Sequence, residues 1–400
     1  MQRHSGAITS GFANIAHTFS HLFTLLYATV VLVLEREWPL SFAELFALSL
    51  PMTVMFGAAA LPAGWLADRW SASGMIAIFF IGIGGASVLT GYADTPFGIA
   101  AGLTLIGTFA AIYHPVGIPW LVKNATNRGR ALGINGVFGS AGTAGAAIVA
   151  SVLADYYGWR AAFVVPGVIA VLTGLAFLAA MRAGLIHEAG EDAKPDMPAN
   201  HSDRRRAFVA LAVTVLCTGL IFQVTTFALP KIFAERLSGV FADGVIGIGG
   251  LVSAVYVVSA VAQIVGGELA DRRRLKTVYI ACQILQLPVL AIALVLYSPA
   301  LVPVAALMVC LNVAGQPAEN ALLARYAPPS WRSRAFGAKF VLTLGVSAGG
   351  VALIPIVHGL TGRLDILFVA LFLFAAIAAL VALRLPGDSS ETAAVPVAAE

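Results

Sequence analysis

Six residues, Gly64-Trp65-Leu66-Ala67-Asp68-Arg69, return 203 positions later as Gly267-Glu268-Leu269-Ala270-Asp271-Arg272. Both copies lie between long apolar stretches. A single soluble core has little reason to repeat such a charged turn, whereas a chain built from two related halves does. Two further pairs keep nearly the same spacing. Arg128-Gly129-Arg130-Ala131-Leu132-Gly133 answers Arg332-Ser333-Arg334-Ala335-Phe336-Gly337 at an offset of 204, and Pro115 answers Pro317 at 202. Short loop insertions account for the drift.

Hydrophobic residues make up 59% of the 400 positions and charged residues 11%, against about 25% charged in soluble domains. A helix needs about 20 apolar residues to cross a bilayer core of about 30 Å. In hydrocarbon the backbone must satisfy its own hydrogen bonds, so apolar segments of that length are helices. Twelve are expected: 11–34, 44–67, 74–93, 96–121, 129–154 and 160–182, then 207–229, 243–268, 275–297, 299–324, 333–358 and 363–385. The fold class is therefore an all-α membrane protein with twelve transmembrane helices in two pseudo-symmetric six-helix bundles. Residues 1–182 form the first bundle and 207–385 the second. Residues 183–206 read as a polar linker, and 386–400 as a disordered tail.

Charge placement orients this topology. The even-numbered loops, including the central one, carry sixteen basic residues; the odd-numbered loops carry only Arg36, Arg160, Lys231, Arg236 and Arg363. The positive-inside rule then puts the even loops and both termini in the cytoplasm of a cell with an inner membrane. A sequence pI near 9.0 reflects the same bias, which removes the main support for a nucleic-acid partner. The first apolar segment runs into Glu35-Arg36-Glu37 without a small-residue cleavage site, unlike a signal peptide. Cys217, Cys282 and Cys310 are isolated and suggest no disulfide framework.

Ionisable groups inside membrane helices cost at least about 2.5–3.5 kcal/mol and mark functional pathways. The first segment places Asn14, His17, His21 and Thr24 three or four apart, hence on one face. The fourth carries His114, the fifth Asn135, and the eleventh Lys339. The tenth carries Asn312, Gln316, Glu319 and Asn320 as a stripe, and the seventh contributes Gln223. Counting from the even-loop ends at 1.5 Å per residue, His17, His114, Glu319 and Lys339 share one layer about 8–10 Å deep. Asn135 and Lys339 are repeat equivalents at an offset of 204. Glu319 and Lys339 are expected to pair, with the histidines as titratable groups because imidazole has an unperturbed pKa near about 6.5. A bland alternative is that each histidine bridges two helices, a contribution averaging about 0.6 kcal/mol. His17 and His21 also suggest a metal pair, but no third ligand shows from spacing, so neither a metal nor another cofactor is expected. Glycines at 136, 139, 142, 345, 349 and 350 are expected to admit close helix approach.

The Gly-x-Leu-Ala-Asp-Arg turn between segments two and three, present again in the second half, resembles the signature of the major facilitator superfamily. The resemblance covers nearly the whole chain. Tyr113-His114-Pro115 and the run Gly133-Ile134-Asn135-Gly136-Val137-Phe138-Gly139-Ser140 are similar to fosmidomycin-resistance-type exporters within it. Val116 departs from that subfamily's acidic residue after the His-Pro pair. Leu103 stands near the position of the helix-four arginine associated with proton coupling, and segment five lacks a Gly-Pro pair. The resemblance implies a gate at the even face, in which Asp68 and Asp271, with Arg69 and Arg272, meet helix termini and the partners Arg130 and Arg334. The alternative is that these are solvated turn charges.

The expectation is a secondary transporter that moves a small organic molecule by alternating access, as a monomer and with protons as coupling partner. Three histidines and a lysine against one glutamate lean toward an anionic or zwitterionic cargo, and export is favoured over proton-coupled uptake of an organic anion. A membrane enzyme is the reading from another class; no His-Glu-x-x-His, Gly-x-Ser-x-Gly or Walker sequence supports it. A transport-dead sensor would need a signalling domain that the linker is too short to form.

Overall fold

Helices follow from the apolar segments, and short capped turns separate them. In the computed structural model, residues 2–125, 128–186, 201–237, 244–327, 332–346 and 348–386 are described. Eleven of these helices are long and apolar enough to span a bilayer: α1 (Gly6–Glu37), α2 (Phe42–Arg69), α3 (Ala72–Gly91), α4 (Pro96–Asn124), α5 (Ala131–Tyr157), α6 (Trp159–Arg182), α7 (Arg205–Arg236), α8 (Ile246–Arg272), α9 (Leu275–Val295), α10 (Leu301–Tyr326) and α12 (Asp365–Ala382). Between α10 and α12 lies α11, residues 332–346 and 348–361. It is segmented: Arg332–Phe340 runs into a wide π-helical turn at Val341–Val346, and Leu353–Thr361 completes the crossing. Among the described residues there is no strand. The expected linker and tail fall mainly on 187–200 and 387–400, outside the described residues.

Turn chemistry explains the tight loops. Ser41 and Glu44 form a reciprocal capping box at the start of α2, with Ser41 N–H donating to Glu44 Oε2 at 2.9 Å and Glu44 N–H to Ser41 Oγ at 3.3 Å. Such a box satisfies donors that the first helical turn would leave bare. Ser71 caps α3 and Thr95 caps α4 through Oγ atoms that accept from Gly74 and Gly98 N–H. Two prolines do the opposite inside the helices. Pro115 lies in a π-helical turn, Tyr113–Gly117, and Pro317 follows a break at Gly315 in α10. Proline removes a ladder hydrogen bond and crowds the preceding carbonyl, so both members of the repeated pair accompany an interruption of the regular α-helix.

Packing repeats with the sequence. In the first half α1 packs on α5, α2 on α4, α3 on α4 and α3 on α6; six helices later α7 packs on α11, α8 on α10, α9 on α10 and α9 on α12. The halves meet along two long seams, α5 against α8 and α2 against α11, and also where the end of α1 packs on α7. Gly57 and Gly345 allow the second, since a methyl group built on Gly57 would lie 2.2 Å from Gly345 Cα. Gly142 lets α5 close on α1, where the same construction comes 2.2 Å from Thr18 O. Gly136 and Gly349 have nothing within 4 Å of such a methyl, so the expectation of close approach fails at these two. Both glycines open onto free space.

Candidate functional site

Close packing of α1, α4 and α5 brings the predicted polar residues of the first half into one cluster. Gly139 is the enabling residue, because a methyl there would sit 2.5 Å from the His17 ring. His17 Nδ1 lies 2.7 Å from Asn135 O. A carbonyl only accepts, so Nδ1 carries the proton and Nε2 presents its lone pair. His21 Nε2 stands 3.2 Å from that lone pair and donates to it. Asn135 fixes the surroundings: its Nδ2 donates to Asn14 Oδ1 at 3.0 Å, and its Oδ1 accepts from Tyr113 O–H at 2.8 Å. The π-helical turn of α4 then aims two successive rings at α1. Tyr113 stacks on His17 with ring centroids 4.8 Å apart, and His114 lies 5.4 Å from both His17 and His21. His114 is buried, and its Nδ1 has no hydrogen-bond partner.

The second half builds an ionic version at matching depth. Lys339 Nζ lies 2.8 Å from Glu319 Oε1, with both side chains buried. Tyr279 O–H donates to Glu319 Oε2 at 2.8 Å and Thr218 Oγ1 to the same oxygen at 3.3 Å, while Lys339 also donates to Asn320 Oδ1. Every charge is matched, as a buried pair requires if it is not to be strongly destabilising. Asn312 donates to Thr218 O at 3.3 Å, and Gln316 lies one turn before Glu319. Tyr279 and Thr218 are the members that sequence reading missed; no motif surrounds either, and only helix packing, for Tyr279 that of α9 on α10, brings them in.

The clusters face each other across the seam. The His114 ring approaches that of Phe340, next to Lys339, with centroids 5.6 Å apart. His114, Pro115, Phe56, Gly57, Gly337 and Phe340 line one cavity between α2, α4 and α11. His21, Thr24, Met52, Phe56, Gln223 and Phe227 line another between α1, α2 and α7. Gln223 thus reaches shared space, whereas neighbouring Thr226 accepts from Tyr256 O–H at 2.9 Å and serves helix packing.

The two faces of the protein differ. At the odd-loop face the halves are tied together. Lys231 of α7 grips Glu35 of α1 at 2.7 Å, and Asp155 of α5 accepts from Val245 and Ile246 N–H, at 2.8 and 2.9 Å, where α8 begins. His358 of α11 bonds Glu235 at 3.0 Å and packs on Phe42 at the start of α2, with centroids 4.8 Å apart. Asp155 and His358 lie near the same end of the equivalent helices α5 and α11. Sequence reading passed over both, because counting basic residues per loop gives no weight to an acid at a helix end. Along α5 and α8 the bonds stop at Ser140 and Gln263, 3.4 Å apart; beyond them toward the even face, no hydrogen bond joins these two helices among the described residues.

At the even face, the aspartates and neighbouring arginines of the expected gate lie at the surface. Asp68 and Asp271 are exposed, Arg69 lies over the Trp65 ring at 4.4 Å, and Arg272 pairs with Glu268 one turn away on its own helix. The side chains of Arg130 and Arg334, named as partners, lie outside the described residues.

Comparisons with known proteins agree with this architecture. The family model described as Major Facilitator Superfamily matches residues 12–337 and 211–399. A puromycin resistance protein of Streptomyces alboniger is 31% identical over 123 residues, covering 30% of this chain and 24% of that protein, so the match spans about a quarter of its relative. Among solved structures, an inward-facing bacterial homolog of the human lysosomal transporter Spinster superposes with a TM-score of 0.69 at 16% identity, covering 95% of each chain. The peptide transporter POT in complex with alafosfalin gives a TM-score of 0.74 at 15% identity, covering 95% of this chain and 94% of that one. At such identities the structural likeness speaks for the fold alone. The family match covers both repeats, and the chain belongs to the Major Facilitator Superfamily of membrane transporters.

Proposed function

We propose that this transporter exports a small anionic or zwitterionic organic molecule in exchange for protons, working by alternating access as a monomer in the inner membrane, with both termini cytoplasmic. One observation carries the reading: a histidine cluster in the first half and a matched Glu319–Lys339 pair in the second flank the seam at which His114 meets Phe340, the residue next to Lys339. Imidazole changes charge near neutral pH, and polar groups enclosed at the interface of two repeats mark a transporter's binding region. Proton binding at His17, His21 or His114 would alter the charge facing the cargo and so bias which face opens.

The ties at the odd face and the exposed Asp68 and Asp271 at the other support a conformer open toward the even, cytoplasmic side. In the opposite conformer the two aspartates would meet neighbouring helix termini and the arginines, as in the family. The resistance function named for the Streptomyces relative favours export.

Everted membrane vesicles with an imposed pH gradient test the proposal. A panel of anionic, zwitterionic and cationic compounds, puromycin included, is added while a pH dye reports lumenal acidity. Export by proton antiport predicts dequenching on addition of a transported anion. Uptake coupled to protons predicts no dequenching in that geometry and a pH-driven signal in right-side-out vesicles. Flux indifferent to the gradient in both preparations would overturn proton coupling.

A further inference from the structure

The histidine cluster has the form of a metal site that neither the sequence spacing nor the transport reading requires. Spacing supplied two imidazoles, and the fold supplies the third. The ligand nitrogens of His17, His21 and His114 all lie within 4.8 Å of one another. We propose that these three residues bind a divalent transition-metal ion of the zinc class, with an open fourth position toward the cavity that His21 shares with Gln223.

Three features of the geometry support it. Zinc binds imidazole nitrogen at about 2.0–2.1 Å in tetrahedral sites, which sets neighbouring ligand atoms about 3.3 Å apart. His17 Nε2 and His21 Nε2 are 3.2 Å apart. His17 Nδ1 is also held by the Asn135 carbonyl at 2.7 Å. This outer bond is the kind that fixes the tautomer of a metal-ligating histidine and raises the basicity of its other nitrogen. Finally, His114 is buried with Nδ1 unpartnered, so no hydrogen bond must break for its ring to turn inward. On binding, His21 shifts its proton from Nε2 to Nδ1, which leaves it neutral.

The donor set defines the class of ion. Three neutral imidazoles suit zinc, cobalt, nickel or copper, whereas calcium and magnesium require oxygen ligands. No carboxylate is among the three ligands, so the ion keeps its charge and favours an anionic oxygen, from hydroxide or from cargo, in the fourth position. Metal and protons compete for the same lone pairs, which makes the ion an inhibitor of proton-linked flux. The proposal rests on the cluster described above and not on proton coupling itself.

The test uses the full-length protein, purified in detergent with a tag free of histidine. Zinc binding is measured by titration calorimetry at pH 7.5, and cobalt binding by its visible absorption. The expected result is one ion per chain with the intense absorption of four-coordinate cobalt. Affinity should fall at least tenfold in His114→Gln and in His21→Gln and stay unchanged in His187→Gln. Binding that survives His17→Gln/His21→Gln/His114→Gln, or weak six-coordinate cobalt absorption, would overturn the site. Should that triple variant fail to fold, His21→Gln alone decides, because unchanged affinity there is equally fatal. Metal binding together with gradient-indifferent flux would overturn proton coupling and leave this site standing. The reverse pair of results would remove the site and leave the coupling.

Discussion

The two halves put the same helices at the same depth and fill them with opposite electrostatics. Asn135 in α5 and Lys339 in α11 occupy equivalent repeat positions. Asn135 organises a neutral network of Tyr113, Asn14 and His17, whereas Lys339 neutralises Glu319 in a network completed by Tyr279 and Thr218. A neutral network tolerates the gain of a charge only by titrating. A matched pair resists any change, because losing one partner strands the other. On the proposed function the labour divides: the first half would respond to protons, and the second would present fixed, compensated charge to the cargo.

The sharpest way to break this contrast is to write one half into the other. Lys339→Asn copies the residue of the first half and leaves Glu319 buried without its cation. Removing one partner of a buried pair costs about 3–5 kcal/mol, so a large fall in thermal midpoint and loss of flux are expected. Glu319→Gln together with Lys339→Asn should recover most of the stability without restoring flux. A single variant as stable as the parent would show that the pair is not closed.

The converse change is milder. Asn135→Ala strips the partner from Tyr113 O–H and Asn14 while sparing the backbone bond to His17. Leaving buried polar groups unsatisfied costs about 1–3 kcal/mol, to be read as a smaller thermal shift. A shift equal to that of Lys339→Asn would erase the distinction between the halves.

At the odd face, Asp155→Ala removes the side chain that caps α8 from the opposite half. A lost cap costs about 0.5–2 kcal/mol, and one or two kcal/mol moves an equilibrium about 5–30-fold. Cysteines introduced along the outer seam should become more reactive toward a membrane-impermeant thiol reagent. Unchanged reactivity would reduce Asp155 to a local packing residue. Asp68→Asn, at the other face, should impair transport with insertion and thermal midpoint intact; parental flux would end its assignment to the gate.

The subtlest outcome concerns pH. Where proton binding at the cluster couples to flux, the effect of the bound proton is present at acid pH and lost as pH rises. His114→Ala should flatten this profile more than it alters expression. An unaltered profile would assign His114 to packing.

Much of the fold was legible because its causes are local or periodic. Long apolar segments must become helices in hydrocarbon, and a repeated charged turn must come from repeated halves; neither inference needs a contact map. The stripes of α1 and α10 were legible for the same reason, since residues three and four apart share a helical face. What escaped was whatever depends on the rotation of one helix against another. His114 lies about a hundred residues from His17 in sequence, and nothing in that interval says that α4 widens at Tyr113–Gly117 to aim two rings at α1. Tyr279 and Asp155 carry no motif and act only through a neighbour.

From the chain alone came the membrane-spanning class, the duplication, the superfamily resemblance, and the short inventory of polar groups too costly to bury without purpose. Tertiary structure decided which of those groups meet: three imidazoles on α1 and α4, a lysine and glutamate on α11 and α10, and an aspartate of one half at the first turn of a helix in the other. The physical reason is one of range. Hydropathy and helical periodicity act within about a turn or across a single span, while the convergence of side chains is set by close contacts such as Gly139 on His17 and Gly57 on Gly345, which only packed helices create.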